Sequence, residues 1–140
     1  MKKTLYIIVG ILILLQFIPA KIENPPIDRS LEIQAPAEVM SVFKRSCYDC
    51  HSNEVKLPWY SKVAPASFFV KSHVDLGRKW LNFSTWKSYT EEEKEKKLKG
   101  IFRTVYAAMP LASYIAMHED AKLSKEEIHL LREWTGKAPF

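Results

Sequence analysis

The chain has 140 residues, 47% of them hydrophobic and 12% aromatic, which is enough apolar side chain for one packed domain and too little length for two. Its net charge is +5, and removal of the first twenty residues takes away Lys2 and Lys3 and leaves +3. The lysines of EEEKEKKLK at 91–99 alternate with acids, as on a solvated helix face and unlike the one-sided basic patch of a nucleic-acid binder. No nucleic-acid partner is expected, although a basic rim is compatible with steering an acidic redox partner.

Lys2 and Lys3 precede an apolar run from Leu5 to Ile18, broken only by Gly10 and Gln16. A charged start followed by such a run is an export signal. The run is longer than most signal-peptide cores and shorter than the ~20 residues that cross a bilayer comfortably. Residues 1–20 therefore read either as a cleaved signal peptide or as a retained N-terminal membrane anchor, in which residues 5–20 hold the chain to the inner membrane. The lysines keep the amino end in the cytoplasm, so the rest is expected in the periplasm. Residues 21–35 form an extended, proline-containing linker, and the domain is expected over 36–140.

Within that domain Pro36 suits a helix start, and Val39, Met40, Phe43 and Cys47 recur at helical steps. The loop SNEVKLPWYSKVAP follows, stiffened by Pro58 and Pro65. A second helix begins near Ala66, with Phe69, Val70, His73, Gly77, Trp80 and Leu81 on one inward stripe; Asn82 and Ser84 end it, and Trp80 and Trp86 are expected to pack against it. Thr90 and Glu93 form a capping box that opens a third helix, which places Leu98, Ile101, Phe102, Val105 and Tyr106 on one face and stops at Pro110. Ser124 and Glu127 open a fourth that buries Ile128, Leu131 and Trp134, with Gly136 as its stop. No segment shows strand alternation. The expected fold is all-α, a small single domain of about four helices with two long functional loops.

Both cysteines lie in CYDCH, residues 47–51. C-x-x-C-H is the attachment signature of c-type haem. Two intervening residues place both thiols along one porphyrin edge, and the histidine that follows is held beneath the iron as an axial ligand. A zinc site would need a second ligand pair, for which His73, His118 and His129 have irregular spacing. A thioredoxin-like pair would need a βαβ setting, and a bare disulfide would leave His51 without a role. One covalent haem c per chain is the expected cofactor.

The distal ligand decides what the haem does. Met109 is the leading candidate, since it sits at a helix break beside Pro110. His73, on the second helix, is the alternative and would give a low-potential haem. His118 is a third option, or a partner for a propionate, and His129 is expected to be exposed.

The pieces CYDCHSNEVKLPWY (47–60), VAP (63–65), HVDLGRKWLNFSTW (73–86), MPLASY (109–114) and HEDAKLSKEE (118–127) occur in order at compatible spacings. Together they resemble the small haem-binding domain of exported bacterial proteins, over nearly all of Pro36 to Trp134. The resemblance implies covalent haem on Cys47 and Cys50, His51 as proximal ligand and Met109 as distal ligand; it implies no reaction. In that setting Trp59 and Tyr60, with Pro58, wall the haem edge, and Arg78 pairs a propionate. The expected function is single-electron transfer to an unidentified redox partner protein outside the cytoplasmic membrane. The alternative is a small haem peroxidase or a redox or ligand sensor with an open distal position.

Overall fold

A computed structural model describes residues 2–137; the last three residues of the expected domain lie outside the described residues. Among those described there is no strand, and seven α-helices follow in order: α1 Lys2–Leu15, α2 Ala37–Ser46, α3 Tyr48–His51, α4 Ala66–Trp80, α5 Glu91–Ala107, α6 Ala112–Ile115 and α7 Lys125–Trp134. The all-α expectation holds. Its four domain helices are α2, α4, α5 and α7, and the two single-turn helices α3 and α6 lie in the loops between them.

Helix starts follow from capping chemistry. Both expected capping boxes form: Thr90 accepts from the Glu93 N–H, Ser124 accepts from the Glu127 N–H, and each glutamate reaches back to its cap. Each box satisfies two backbone groups that the first turn otherwise leaves unpaired, which is worth about 1 kcal/mol. Pro36 is the cap of α2 and not its first helical residue.

The core is an aromatic stack. Phe43 of α2 lies on Phe83 at 4.6 Å and meets the edge of Trp134 of α7 at 5.2 Å, while Tyr48 of α3 stacks on the other side of Phe83 at 5.3 Å. Val39, Val42, Ile101, Val105 and Leu131 close around it. Each fully buried large side chain contributes about 2–3 kcal/mol, so this cluster fixes α2, α5 and α7 as one frame. A guanidinium–carboxylate contact, Arg45 Nη1 to Glu127 Oε1 at 2.8 Å, ties α2 to α7 at its edge.

Two expectations need correction. The 21–35 segment is not a free spacer. Ile33 is in the core and its N–H donates to the Phe83 carbonyl at 2.9 Å. Farther upstream the Asn24 side chain pairs with both the N–H and the carbonyl of Val55, each at 3.0 Å. Packing therefore reaches back past the prolines. The inward face of α4 is also not the expected stripe: Ser67, Val74 and Gly77 are buried, while Phe69, His73 and Trp80 are exposed. Trp86, in contrast, packs against the core.

No described helix is long and apolar enough to cross a membrane. α1 has 14 residues, none of them buried, and measures about 21 Å against a hydrocarbon core of about 30 Å.

Candidate functional site

The backbone of CYDCH makes one tight turn between two helices. The Cys47 N–H closes α2 by donating to the Phe43 carbonyl at 2.8 Å, and the Cys47 carbonyl accepts from Cys50 and His51 at 3.2 and 3.0 Å. Residues spaced three and four apart on a helical turn share a face. Cys47, Cys50 and His51 accordingly line a single cavity of about 620 Å³, within the range of roughly 300–1,000 Å³ typical of small-molecule sites.

His51 is held from behind. Its Nδ1 lies 3.0 Å from the Gly77 carbonyl and 3.0 Å from the Leu81 carbonyl, at the end of α4. Carbonyls only accept, so Nδ1 carries the proton and Nε2 keeps its lone pair. Burial pushes the imidazole pKa down, against the two carbonyls, which pull it up. The ring is thus neutral, oriented and left with one free nitrogen, as a metal-ligating histidine with a backbone second partner requires.

Gly77 makes this approach possible. A Cβ there would lie 2.3 Å from the Cys50 carbonyl oxygen, a contact only glycine avoids. Behind the motif, Ser52 Oγ donates to the Tyr48 carbonyl at 2.7 Å, the Asn53 N–H donates to Ser84 Oγ at 3.0 Å, and Asn82 Nδ2 donates to Asn53 Oδ1 at 2.8 Å. All four side chains are buried and paired, so the turn cannot swing without breaking several bonds at once.

Burial pushes the Cys47 thiol up to about 12 and the Cys50 thiol up to about 11. The two sulfurs are unpaired and stay protonated at neutral pH. A zinc site would need further protein ligands, and among the described residues no group of three or more His, Cys, Asp or Glu is placed to hold a metal ion. Asp49, between the cysteines, accepts from the Lys56 N–H at 3.1 Å and from the Tyr114 hydroxyl at 2.7 Å. Burial and that carboxylate push the Tyr114 phenol well above its ordinary range.

α5 and the loop after it also line the cavity, through Gly100, Ile101, Thr104 and Val105, then Met109 and Leu111. α5 ends at Ala107, and the Met109 N–H donates back to the Thr104 carbonyl at 2.7 Å. Gly100 sits mid-helix, where glycine costs about 1 kcal/mol; an added Cβ there would meet nothing within 4 Å, so its absence widens the cavity. The cations on the wall are Lys96 and Lys97. A flat, mostly apolar macrocycle with a metal at its centre and two carboxylates at one edge fits this lining, in which two thiols, a free imidazole nitrogen, a thioether and two lysines border one apolar cavity.

The other expected residues are placed differently. His73 lines the cavity but is exposed at its edge, with Nδ1 donating to the Phe69 carbonyl at 2.7 Å. Trp59 and Tyr60 are not on the cavity wall; Trp59 is 72% exposed and Tyr60 Oη is hydrogen-bonded to His118 Nε2 at 2.8 Å. His118 in turn stacks on Tyr114 at 4.4 Å, outside the lining. Arg78 also lies off the wall: it donates to the Ser52 and Glu23 carbonyls at 2.8 and 2.7 Å and to Asn24 Oδ1 at 2.8 Å. It clamps the upstream segment to the back of the motif, and the cations on the cavity wall are Lys96, paired with Glu92 at 2.7 Å, and Lys97, which donates to the Trp80 carbonyl at 2.7 Å. His129 is exposed beside Glu133.

Sequence reasoning missed the two carbonyls that orient His51, the Asp49–Tyr114 pair, the Asn53–Asn82–Ser84 network and the lysine rim. One signal was present, since an isolated glycine inside a helical pattern, here Gly77, marks a close approach.

A family model described as a haem-binding domain matches residues 10–137. No match was found among curated proteins or among solved structures.

Proposed function

The chain belongs to the haem-binding domain family, and from that premise we propose that it carries one haem c covalently through Cys47 and Cys50 and passes single electrons outside the cytoplasmic membrane. One observation carries this reading. His51 has its Nδ1 proton tied to two carbonyls, and the cavity it lines is also lined by Met109.

Attachment would add each cysteine S–H across a vinyl double bond, with sulfur bonding to one carbon and hydrogen to the other; nothing is lost and no electron is transferred. Half-buried, protonated thiols become neutral thioethers, which the apolar wall accommodates. When bound, the haem supplies a one-electron couple at its iron. The chain's own residues do the rest: His51 ligates through Nε2, Met109 offers a thioether that favours the reduced form, and the apolar walls hold water away from the centre. Leu76 and Trp80 line the cavity and are exposed, so the macrocycle edge lies near the surface. A redox partner protein would approach there, with Lys96 and Lys97 steering an acidic one.

The peroxidase alternative needs a distal histidine and arginine together, and Arg78 is held by the upstream backbone, away from His73. The export reading supports a periplasmic setting with residues 1–20 as signal peptide or anchor. Visible spectra of the protein matured with the haem-attachment machinery test the proposal. A low-spin ferric spectrum with the long-wavelength charge-transfer band of methionine ligation is expected; a high-spin spectrum at neutral pH would favour the sensor or peroxidase reading.

A further inference from the structure

We propose that the rim formed by Leu57, Trp59, Val63 and Phe69 is seated in the headgroup layer of the membrane that holds α1, so that the domain rides on the lipid surface and does not hang from a flexible tether. The inference rests on the anchor form of the N-terminal reading and goes beyond the haem site.

The length of the tether is the first argument. Arg78 and Val55 fasten the chain at Glu23 and Asn24, and Glu23 is only five residues beyond Ile18, the end of the apolar run. At ~3.3–3.6 Å per extended residue the free chain spans about 17 Å. A second tie shortens even that: Gln16 Nε2 donates to the Ala64 carbonyl at 3.0 Å, and the Ala64 N–H donates to Gln16 Oε1 at 3.0 Å. With α1 in the bilayer, the loop carrying Ala64 has to lie against it.

The chemistry of that loop is the second argument. Trp59, Phe69, Val63 and Leu57 are 72%, 65%, 46% and 41% exposed, and none of them lines the haem cavity. From Val55 to Val74 the sequence has Lys56, Lys62 and Lys71 and no acid; Lys71 is paired with Asp75 just beyond this stretch at 2.6 Å, which leaves Lys56 and Lys62 as the cations that bear on a lipid surface. Exposed aromatic and aliphatic side chains interleaved with lysines are what an anionic lipid interface recognises. Water-exposed apolar groups at this density are costly in a soluble face and favourable at an interface.

The full chain, matured with haem, is placed in vesicles of phosphatidylcholine with phosphatidylglycerol and labelled by hydroxyl radicals, with sites read by mass spectrometry. Tyr106 is the internal reference, being 73% exposed and on α5. After correction for intrinsic reactivity, Trp59 and Phe69 are expected to label at least five-fold more slowly than Tyr106. In the Val63→Ser/Phe69→Ser variant, Trp59 should recover toward the Tyr106 rate. Equal labelling of Trp59 and Tyr106 on vesicle-bound chain would overturn the proposal, as would a chain that fails to sediment with the vesicles. The visible spectrum of the same sample separates the two readings: covalent low-spin haem with unprotected Trp59 refutes the membrane seat alone, and protected Trp59 without haem refutes the carrier alone.

Discussion

On the α3–α4 side of the cavity, His51 is oriented by two carbonyls and backed by a buried network of Ser52, Asn53, Asn82 and Ser84. On the α5 side, Met109 follows a helix end and is positioned by one backbone bond to Thr104. The first wall is over-determined and the second is set by a short loop. Proximal ligation should therefore tolerate almost no change in its surroundings, while the distal position should exchange ligands without loss of the fold.

The largest test breaks the rigid side. Gly77→Ala would drive a methyl into the Cys50 carbonyl, and since that atom is backbone, relief requires moving the motif. We predict destabilisation of about 3 kcal/mol or more by chemical denaturation, with loss of attached haem; a variant of unchanged stability would show that the α3–α4 approach is not tight. Next, Met109→Ala addresses the loop side alone. Haem content should be unchanged, the long-wavelength ferric band should vanish, and the reduction potential should fall. Loss of the haem itself would mean that the two walls are not separable.

A smaller effect isolates the frame that carries both walls. The Arg45 guanidinium holds the Glu127 carboxyl below its ordinary value of 4.5. A carboxyl with a depressed folded-state pKa adds stability that is present above the unfolded value and is lost as pH falls through the folded one. Glu127→Gln should cost about 1 kcal/mol at pH 7 and flatten the decline in stability below pH ~4.5; an unaltered acid profile would assign that decline elsewhere. The smallest is Gly100→Ala, which should stabilise the apoprotein by up to about 1 kcal/mol. Its methyl is expected to perturb the spectrum of the haem-loaded form, and an unperturbed spectrum would place α5 farther from the macrocycle.

Much of this was legible before the fold was seen. CYDCH, the two capping boxes and the Met109-Pro110 break are local patterns, and each depends on residues close in sequence. The apolar stripe of α4 was legible as a helix and misleading as a face, because Phe69 and Trp80 are apolar without being in the core: periodicity reports an apolar surface and not what covers it. The partners of Arg78 were not legible for a related reason. Its partners are backbone carbonyls and an asparagine more than twenty residues away, and no side-chain pattern announces a carbonyl. The same holds for Ile33, whose burial depends on Phe83 carrying its edge of the core back to the upstream segment.

The central claim is that His51 and Met109 face one another across a single covalently held haem. Ferric and ferrous visible spectra of matured wild-type protein beside Met109→Ala test it most directly. The account predicts a low-spin wild type whose long-wavelength ferric band is absent from the variant, with haem retained on the polypeptide after denaturation in both. A high-spin wild type, or a band that survives in Met109→Ala, would contradict it.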